Sequence, residues 1–445
     1  MRVHGHVRQL RGPGRRLRRG GATPARRPRH AVSTVDEAAP AERPLRTAAA
    51  EAVRRLLRRP LASYYLVLGS AGLLLVLGLI MVFSASSVMS RVQFGYPYYY
   101  FARQLAWVIV GLPMAWLASR IPARLLRRFG LPMLVVAAML LALTFVPGLG
   151  VTRGGNTNWL DFGGPFLLQP SEPAKLALII WGAGMFAMKG RLLTQWKHLM
   201  IPFVPVSGAV VALTIGQRDL GTALVLMAIV LTLLWVVGVP TWLFGLALGV
   251  VGVVGAYFVT ASENRMSRVA SFLDPFSDFS GAGYQAANSI YAFATGGWWG
   301  SGLGASRLKW GQLPEAHTDF IFSILGEELG LPGALMVLGL FFTLGFAGIR
   351  IAMRTTDTFT RLAAAGITGW LIVQAIINLG SVLVVFPVIG VPLPLVSYGG
   401  ASMVVAIVAV GILMALAKEE PGAREALAAR KQARRERRQS RRLRA

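Results

Sequence analysis

The densest group of chemically capable side chains in this sequence is a short segment that contains two acids and a histidine. It reads L-P-E-A-H-T-D-F-I-F from Leu313 to Phe322, and G-E-E-L-G follows from Gly326 to Gly330. Asp319 stands where a polar stretch enters an apolar one, and a carboxylate partly withdrawn from water is more basic than an exposed one. Such a group suits a general base. The alternative is an ordinary helix N-cap formed by Thr318 or Asp319, and the residues alone leave both interpretations open.

Other polar and ionisable residues stand near the ends of apolar runs, where such residues are candidates for function. They are Arg103, Glu172, Lys175, Gln217 and Asp219. For Arg103 and Lys175, simple snorkelling of the charge toward water is the alternative to pairing with Glu172 or Asp219.

The stretch from 261 to 330 is too long for a simple connector, and long structured loops are usually functional. It contains four basic residues that could neutralise an anionic group, with ordinary solvation as the alternative: Arg265, Arg268, Arg307 and Lys309. His317 could orient Asp319 or simply be a hydrogen-bonded loop histidine. The glycine-rich run 296–304 is not followed by Lys-Ser/Thr, so it predicts a set of tight turns and no phosphate loop.

The elements that must position these residues are apolar helices. The chain of 445 residues is 54% hydrophobic and 15% charged, its mean hydropathy is +0.56, and its apolar residues come in continuous blocks. Because a helical span needs about 20 apolar residues, we predict an all-α, polytopic transmembrane bundle of about ten spans. They lie near 64–86, 104–119, 130–147, 173–188, 200–216, 220–238, 241–260, 331–350, 362–385 and 395–417.

The distribution of basic residues predicts the orientation. If the N-terminus is cytoplasmic, the cytoplasmic loops 120–129, 189–199 and 350–361 contain ten basic residues and one acid, Asp357. The opposite side contains nine basic and ten acidic residues. This asymmetry follows the positive-inside rule, so both termini are expected in the cytoplasm and the 261–330 loop, between spans 7 and 8, outside it.

The net charge of +27 lies mostly in the two tails. Residues 1–60 contain 16 basic and four acidic side chains, and residues 418–445 contain 11 and four. Such tails favour contact with anionic lipid over binding of nucleic acid, so no nucleic-acid partner is expected. We therefore divide the chain into a disordered basic cytoplasmic extension (1–60), a transmembrane domain (61–418) and a basic cytoplasmic tail (419–445). The absence of cysteine excludes disulfides and thiolate chemistry.

Between about residues 60 and 418 the chain resembles the SEDS family of bacterial cell-shape and division proteins. The resemblance is carried by S-A-S at 84–86, R-Q at 103–104, Q-P-S-E at 169–172, D-L-G-T at 219–222, S-F-L-D-P-F at 271–276, G-Y-Q at 283–285, the segments around Asp319 and L-P-L-V-S-Y-G-G at 393–400. The long N-terminal extension is more similar to the division member than to the elongation member. Arg218 departs from the pattern, since the family commonly has proline there.

The resemblance implies a peptidoglycan glycosyltransferase that polymerises lipid II at the outer face of the cytoplasmic membrane during cell division, at the septum. It implies that Asp319 is the catalytic residue. The remaining candidates for the substrate cavity are Arg103, Glu172, Lys175, Gln217, Asp219, Arg265, Lys309, Glu315, His317 and Ser397.

The implied partners are lipid II, undecaprenyl-diphosphate-linked glycan, a class B penicillin-binding protein, other divisome proteins and membrane lipids. A divalent cation, Mg²⁺ or Mn²⁺, is plausible from the acidic external face, but no ligand set can be named. Two other functions are open, a lipid II flippase and a non-catalytic scaffold of the division machinery. A flippase would be expected to place ionisable groups near the bilayer midplane, and here they collect at the outer edge.

Overall fold

In the computed structural model the residues described are 51, 55, 57 and 59–442, apart from 154, 162, 164–166, 191–194, 196, 198–199, 261–265, 268–271, 273, 277–280 and 282. The described chain is mostly helical. Its helices are α1 (Ala62–Phe94), α2 (Tyr99–Ala118), α3 (Ala123–Leu143), α4 (Ser171–Lys189), α5 (Phe203–Gly216), α6 (Leu220–Val237), α7 (Thr241–Thr260), α8 (Tyr284–Gly296), α9 (Ile321–Arg354), α10 (Thr358–Val382), α11 (Ala401–Ala417) and α12 (Pro421–Arg442). The predicted extension 1–60 falls almost wholly outside the described residues.

Six of the described helices are long and apolar enough to cross a membrane: α1, α2, α3, α6, α9 and α10. A seventh span results if α11 and the start of α12, which are bent by 79° relative to each other, are taken together. Helix α5 has only 14 residues, or about 21 Å at 1.5 Å per residue. The all-α membrane fold is confirmed, whereas the count of ten spans and the orientation of the termini stay predictions.

The bundle has an apolar surface as well as an apolar core. On α1, Leu74 and Met81 are fully buried, while Leu73, Val76 and Ile80 are between 44 and 58% exposed. A helix that is apolar on all sides is expected where one face packs on protein and the other on lipid. The outer side chains therefore face hydrocarbon.

Close helix contacts depend on glycine where the main chains approach each other. A Cβ added to Gly411 of α11 would lie 2.4 Å from the carbonyl oxygen of Ala115 on α2. No side chain fits at that distance, so glycine lets α2 and α11 pack directly on each other.

The stretch 148–172, predicted as a loop, contains a small antiparallel sheet. Its strands are β1 (Gly150–Arg153), β2 (Asn156–Asp161) and β3 (Leu167–Leu168), in the order β1-β2-β3. Gly150 is opposite Leu160, and Leu160 is opposite Leu168. The sheet is fixed to the turn before α6, because the Thr157 amide donates to the Gln217 carbonyl at 3.0 Å.

The predicted loop 261–330 also contains regular structure, namely α8, a 3₁₀ turn (Leu308–Trp310) and the first ten residues of α9. Helix α9 thus begins well before the predicted span at 331. It is kinked at Gly330, whose φ of 63° and ψ of −157° are not helical, and Pro332 follows. A Cβ at Gly330 would lie 2.4 Å from the amide nitrogen of Gly300, so the glycine-rich run 296–304 packs directly against this kink.

Candidate active site

Asp319 lies in the turn that leads into α9. The helix begins at Ile321 and its N-cap residue is Phe320, without a side-chain cap. The Asp319 carboxylate is therefore not a helix cap, which removes the structural interpretation that the sequence left open. Its side chain is half-buried, while the neighbouring Phe320 and Ile321 are fully buried. A carboxylate is thus held at the boundary between a polar loop and an apolar helix.

The backbone of Asp319 is fixed by a buried asparagine on α10. Asn378 Nδ2 donates to the Asp319 carbonyl oxygen at 2.8 Å and also to the Val391 carbonyl oxygen at 2.8 Å. The loop that contains Val391 passes close to the carboxylate, since a Cβ added to Gly390 would lie 3.6 Å from Asp319 Oδ2. One carboxamide therefore joins the Asp319 turn to the loop that faces it.

His317 is enclosed by two tyrosines. Its ring centroid lies 4.6 Å from that of Tyr100 and 5.5 Å from that of Tyr398. The Tyr398 amide donates to the His317 carbonyl oxygen at 3.0 Å. Burial lowers the pKa of His317 below its usual 6.5, and the negative charge of Glu315 partly offsets this effect. The imidazole is therefore mainly neutral near pH 7.

Glu315 is exposed and lies at a positive φ of 56°. Its carboxylate accepts a hydrogen bond of 2.6 Å from Thr318 Oγ1, and its carbonyl oxygen accepts one of 3.1 Å from the same hydroxyl. The turn between Glu315 and Asp319 is thus closed by its own polar groups, which leaves Thr318 without a role as the cap of α9.

Glu172 and Lys175 form a buried ion pair on the first turn of α4. Lys175 Nζ donates to Glu172 Oε1 at 2.8 Å and to Gln374 Oε1 at 3.0 Å, and the two charged residues are 3% and 1% exposed. The ammonium also lies 5.0 Å from the centre of the Trp370 ring. Of the two interpretations of Lys175, the structure shows the pairing with Glu172 and not simple snorkelling. A position of this pair beside the substrate stays a prediction.

Gln374 connects this ion pair to the loop that faces Asp319. Its Nε2 donates to the Pro392 carbonyl oxygen at 3.0 Å. Gln374 and Asn378 are four residues apart and so lie on the same side of α10. Together they bind the carbonyls of two successive loop residues, Pro392 and Val391. Through α10 and this loop the structure brings together Asp319 on one side and Glu172 with Lys175 on the other.

Asp219 caps helix α6. Its carboxylate accepts hydrogen bonds from the Thr222 amide at 3.0 Å, from Thr222 Oγ1 at 2.9 Å and from Asn158 Nδ2 of strand β2 at 2.7 Å. Gln169 Nε2 lies 3.4 Å from the same carboxylate. Asp219 therefore ties the small sheet to α6, and a substrate contact for it stays a prediction.

Gln217 is 1% exposed and donates to the Leu141 carbonyl at 3.1 Å and to Thr144 Oγ1 at 2.9 Å, at the end of α3. Between Gln217 and Asp219, Arg218 has a φ of 64°. Proline cannot adopt this conformation, so the departure from the family pattern coincides with a turn that only a non-proline residue allows.

We call residues 296–309, the glycine-rich run with the five residues after it, the glycine-rich loop. Glu327 and Glu328 hold this loop against α9. Glu327 accepts hydrogen bonds from Ser306 Oγ at 2.5 Å and from the Arg307 amide at 2.8 Å. Glu328 accepts from Ser84 Oγ of α1 at 2.6 and 2.8 Å and lies 3.6 Å from Lys309 Nζ.

The ammonium of Lys309 also donates to the Gly304 carbonyl oxygen. Its charge is therefore used within the fold, whereas the Arg307 side chain is exposed. Of these two candidates for an anionic ligand, Arg307 is the one whose charge is accessible.

The other predicted site residues lie around the L-P-L-V-S loop and α2. Ser397 Oγ accepts from the Leu393 amide at 2.9 Å, and the Ser397 carbonyl accepts from Gln104 Nε2 at 3.1 Å. Arg103 Nη1 donates to the hydroxyl of Tyr99 at 3.1 Å. Arg265 and Arg268 lie outside the described residues.

Among the described residues no group of three histidine, aspartate or glutamate side chains lies together, and the divalent cation stays a prediction. We assign no chemical step to a metal ion.

Sequence reasoning missed the two carboxamides Gln374 and Asn378, which position the site. Both lie inside the apolar run predicted at 362–385. The available signal was that polar side chains four residues apart in a span are costly unless they have partners. A second signal was the pair of prolines in 391–395. Proline has no amide donor, so the carbonyls near it need donors from elsewhere.

Known proteins are similar to this chain over the region that contains these residues. Residues 64–421 match the FtsW, RodA and SpoVE family of cell cycle proteins. A probable peptidoglycan glycosyltransferase FtsW of Mycobacterium tuberculosis is 40% identical over 373 residues, which are 84% of this chain and 71% of the relative. The stage V sporulation protein E of Bacillus subtilis is 36% identical over 344 residues, or 77% of this chain and 93% of the relative.

Two solved structures have a similar fold. One comes from work on the structural coordination of polymerization and crosslinking by a peptidoglycan synthase complex. It is 28% identical with a TM-score of 0.65, covering 80% of this chain and 97% of that chain. The rod shape determining protein RodA of Thermus thermophilus is 26% identical with a TM-score of 0.57, covering 80% and 96%. The helical bundle, its apolar surface and these matches together show that the chain is an integral membrane protein belonging to the SEDS family, the family of FtsW, RodA and SpoVE.

Proposed function

We propose that this chain is a peptidoglycan glycosyltransferase that polymerises lipid II during cell division, with Asp319 as its general base. The observation that carries the proposal is the half-buried Asp319 carboxylate, which is not a helix cap and whose backbone is fixed by Asn378 beside Gly390. The activity named for the FtsW relatives, which match most of the chain, supports the glycosyltransferase assignment.

In the proposed reaction the 4-hydroxyl of one lipid-linked sugar attacks the anomeric carbon of another. Asp319 takes the hydroxyl proton as the new C–O bond forms, and the bond between the anomeric carbon and the lipid diphosphate breaks. The diphosphate leaves as an anion, so it needs charge neutralisation more than a proton. One carboxylate is therefore sufficient, unlike the pair used in glycoside hydrolysis.

The contacts of the other acids fit this single-carboxylate mechanism. Glu327 and Glu328 bind the glycine-rich loop through Ser306 and Lys309, and Glu172 is paired with Lys175. Each of them is at most 3% exposed. Arg307, exposed at the surface of that loop, is the cation we assign to the departing diphosphate.

We further propose that the site faces outward from the cytoplasmic membrane at the septum, that both termini are cytoplasmic, and that a class B penicillin-binding protein and other divisome proteins are partners. The charge asymmetry of the loops supports the orientation. The structural likeness to a chain from a complex that coordinates polymerization with crosslinking supports a crosslinking partner. The likeness to FtsW relatives supports the division role.

The test is polymerisation of purified lipid II by the purified chain with its penicillin-binding partner. Asp319→Asn keeps the shape of the side chain and removes its basicity, so we expect the rate to fall by about 10²- to 10⁴-fold, the usual contribution of a general base. Asp161→Asn is the matched control. Asp161 is an acid of strand β2 whose Oδ1 accepts a hydrogen bond from the Gly163 amide, and asparagine can also accept that bond.

Equal polymer formation by wild type and Asp319→Asn would remove the assignment of the base. Transfer of lipid II across a vesicle membrane without polymer would favour a flippase. A complex that assembles with its partner but makes no polymer in either form would favour a scaffold.

A further inference from the structure

An apolar cavity of about 310 Å³ lies between three helices, and Asp319 is not among the residues that line it. Its walls are the first half of α1, the second half of α2 and the second half of α11. It is lined there by side chains such as Leu68, Leu112 and Val410, and Leu395 also lines it. We call this space the α1–α2–α11 groove. It arises because α2 and α11 pack directly through Gly411, while α1 lies beside them.

The length of the groove matches one leaflet of a bilayer. On α1 it extends from Tyr64 to Leu75, which corresponds to about 16 Å along the helix axis at 1.5 Å per residue. The hydrocarbon core of a membrane is about 30 Å thick, so each leaflet contributes about 15 Å. A single acyl chain that enters from the end of the bundle where α1 begins would reach the far end of the groove.

Two cationic side chains stand at that end. Lys418 Nζ donates to the Ser119 carbonyl oxygen at 2.8 Å and lies 5.2 Å from the centre of the Tyr64 ring. The guanidinium of Arg120 lies 3.6 Å from the centre of the Trp116 ring. Tyr64, Trp116 and Ser119 all line the groove, so both cations are at its mouth.

Neither cation is neutralised by a carboxylate within the described part of the chain. The acids that follow Lys418 are engaged elsewhere, since Glu419 pairs with Arg424 and Glu420 approaches Arg354 at 4.0 Å. Two adjacent positive charges over an apolar slot complement an anionic headgroup attached to an apolar chain.

We propose that the α1–α2–α11 groove binds one anionic glycerophospholipid of the leaflet on the side predicted to be cytoplasmic. One acyl chain occupies the groove, and the phosphate lies between Lys418 and Arg120. A transmembrane helix of the same length, 10–12 Å across, would occupy more than about 1,000 Å³, so the groove suits a lipid chain better than a partner helix. The proposal is independent of the glycosyltransferase assignment.

Glycines on α1 provide a matched pair of variants. Gly72 lines the groove and has open space around it, so Gly72→Leu would fill the groove with its side chain. Gly69 lies one turn earlier, also with open space, and is not among the lining residues. Gly69→Leu therefore adds the same side chain to the same helix without blocking the groove.

The experiment is native mass spectrometry of the full-length chain in detergent, titrated with phosphatidylglycerol or with phosphatidylcholine of the same acyl chains. We expect one tightly retained phosphatidylglycerol, bound about 30-fold more tightly than phosphatidylcholine, since each basic residue near a membrane surface contributes about fivefold. Lys418→Gln and Arg120→Gln should each weaken phosphatidylglycerol binding about fivefold, with no change for phosphatidylcholine. Arg361→Gln, at an exposed arginine on α10, should change neither.

Gly72→Leu should remove the tight phosphatidylglycerol adduct and weaken the binding of phosphatidylcholine as well, whereas Gly69→Leu should bind both lipids as wild type does. Thermal unfolding of each variant shows whether it is folded, and the two charge variants test the site even if Gly72→Leu does not fold. Equal retention of the two lipids by wild type, or equal retention by Gly72→Leu and Gly69→Leu, would overturn the proposal. Retention of neither lipid would overturn it too and would assign the groove to another occupant, such as part of a partner protein.

Discussion

Removal of the Asn378 side chain should lower the catalytic rate, by displacing Asp319, far more than it lowers the stability of the fold. Asn378→Ala deletes two hydrogen bonds of 2.8 Å, one to the Asp319 carbonyl and one to the Val391 carbonyl. At about 0.5–1.5 kcal/mol each, their loss should lower the free energy of unfolding by about 1–3 kcal/mol. The larger effect should be on activity. The Asp319 turn and the loop with Gly390 would no longer be joined, and a displacement of about 1 Å can reduce a rate about 100-fold.

The matched control is Asp357→Ala on the same helix. Asp357 caps the other end of α10, where it accepts from the Thr360 amide at 2.9 Å and from Thr360 Oγ1 at 2.8 Å. Loss of such a cap costs about 0.5–2 kcal/mol, a similar amount. Asp357 is 21 residues from Asn378, or about 32 Å along the helix.

The assays are polymerisation of labelled lipid II, followed by gel electrophoresis, and thermal unfolding in detergent. We expect similar melting temperatures for the two variants, with a rate at least about tenfold lower for Asn378→Ala alone. A wild-type rate in Asn378→Ala, or an equal loss of rate in both variants, would refute the positioning role of this side chain.

Three further predictions concern stability. Lys175→Met should destabilise the chain by about 3–5 kcal/mol, since it leaves the Glu172 carboxylate buried and unpaired, and adding Glu172→Gln should restore most of the loss in thermal unfolding. Glu328→Ala should unpair Lys309 and release the glycine-rich loop, which limited proteolysis would detect as faster cleavage between residues 300 and 310 than in wild type. Because burial lowers the pKa of His317, the unfolded state binds its proton first as the pH falls. The contribution of neutral His317 to the free energy of unfolding is therefore fully present above about pH 6.5 and decreases below it. The unfolding temperature of His317→Gln should thus depend less on pH between 6.5 and 5 than that of wild type.

The sequence predicted the apolar helices well because burial in lipid needs long continuous apolar runs. Helix α1 was predicted at 64–86 and is observed from Ala62 to Phe94. The start of α9 was placed ten residues late because Glu327 and Glu328 interrupt the apolar run, yet both are buried through hydrogen bonds to distant parts of the chain. Hydropathy counts such acids as solvated, and only tertiary contacts show that they are not.

The position of Asp319 was also predictable, because its location at a polar-to-apolar boundary is a local property of the sequence. The residues that position it were not. Asn378 is 59 residues away along the chain and Val391 is 72 away, so nothing in their local sequence indicates that one carboxamide binds both carbonyls. For the same reason the local sequence does not indicate that Asp219 accepts a hydrogen bond from Asn158, 61 residues earlier, while it also caps α6. A substrate contact for Asp219 stays a prediction.

The two carboxamides on α10 also determine which parts of the site can move. Since Gln374 and Asn378 bind successive carbonyls of one loop, a slip of this loop along the helix by a single residue would break both attachments at once. Intermediate registers are therefore unavailable, and α10, the loop and the Asp319 turn must shift as one block. Space for a bulky lipid-linked sugar has to open beside Tyr100, whose ring contact with His317 can separate and reassemble without a change of register.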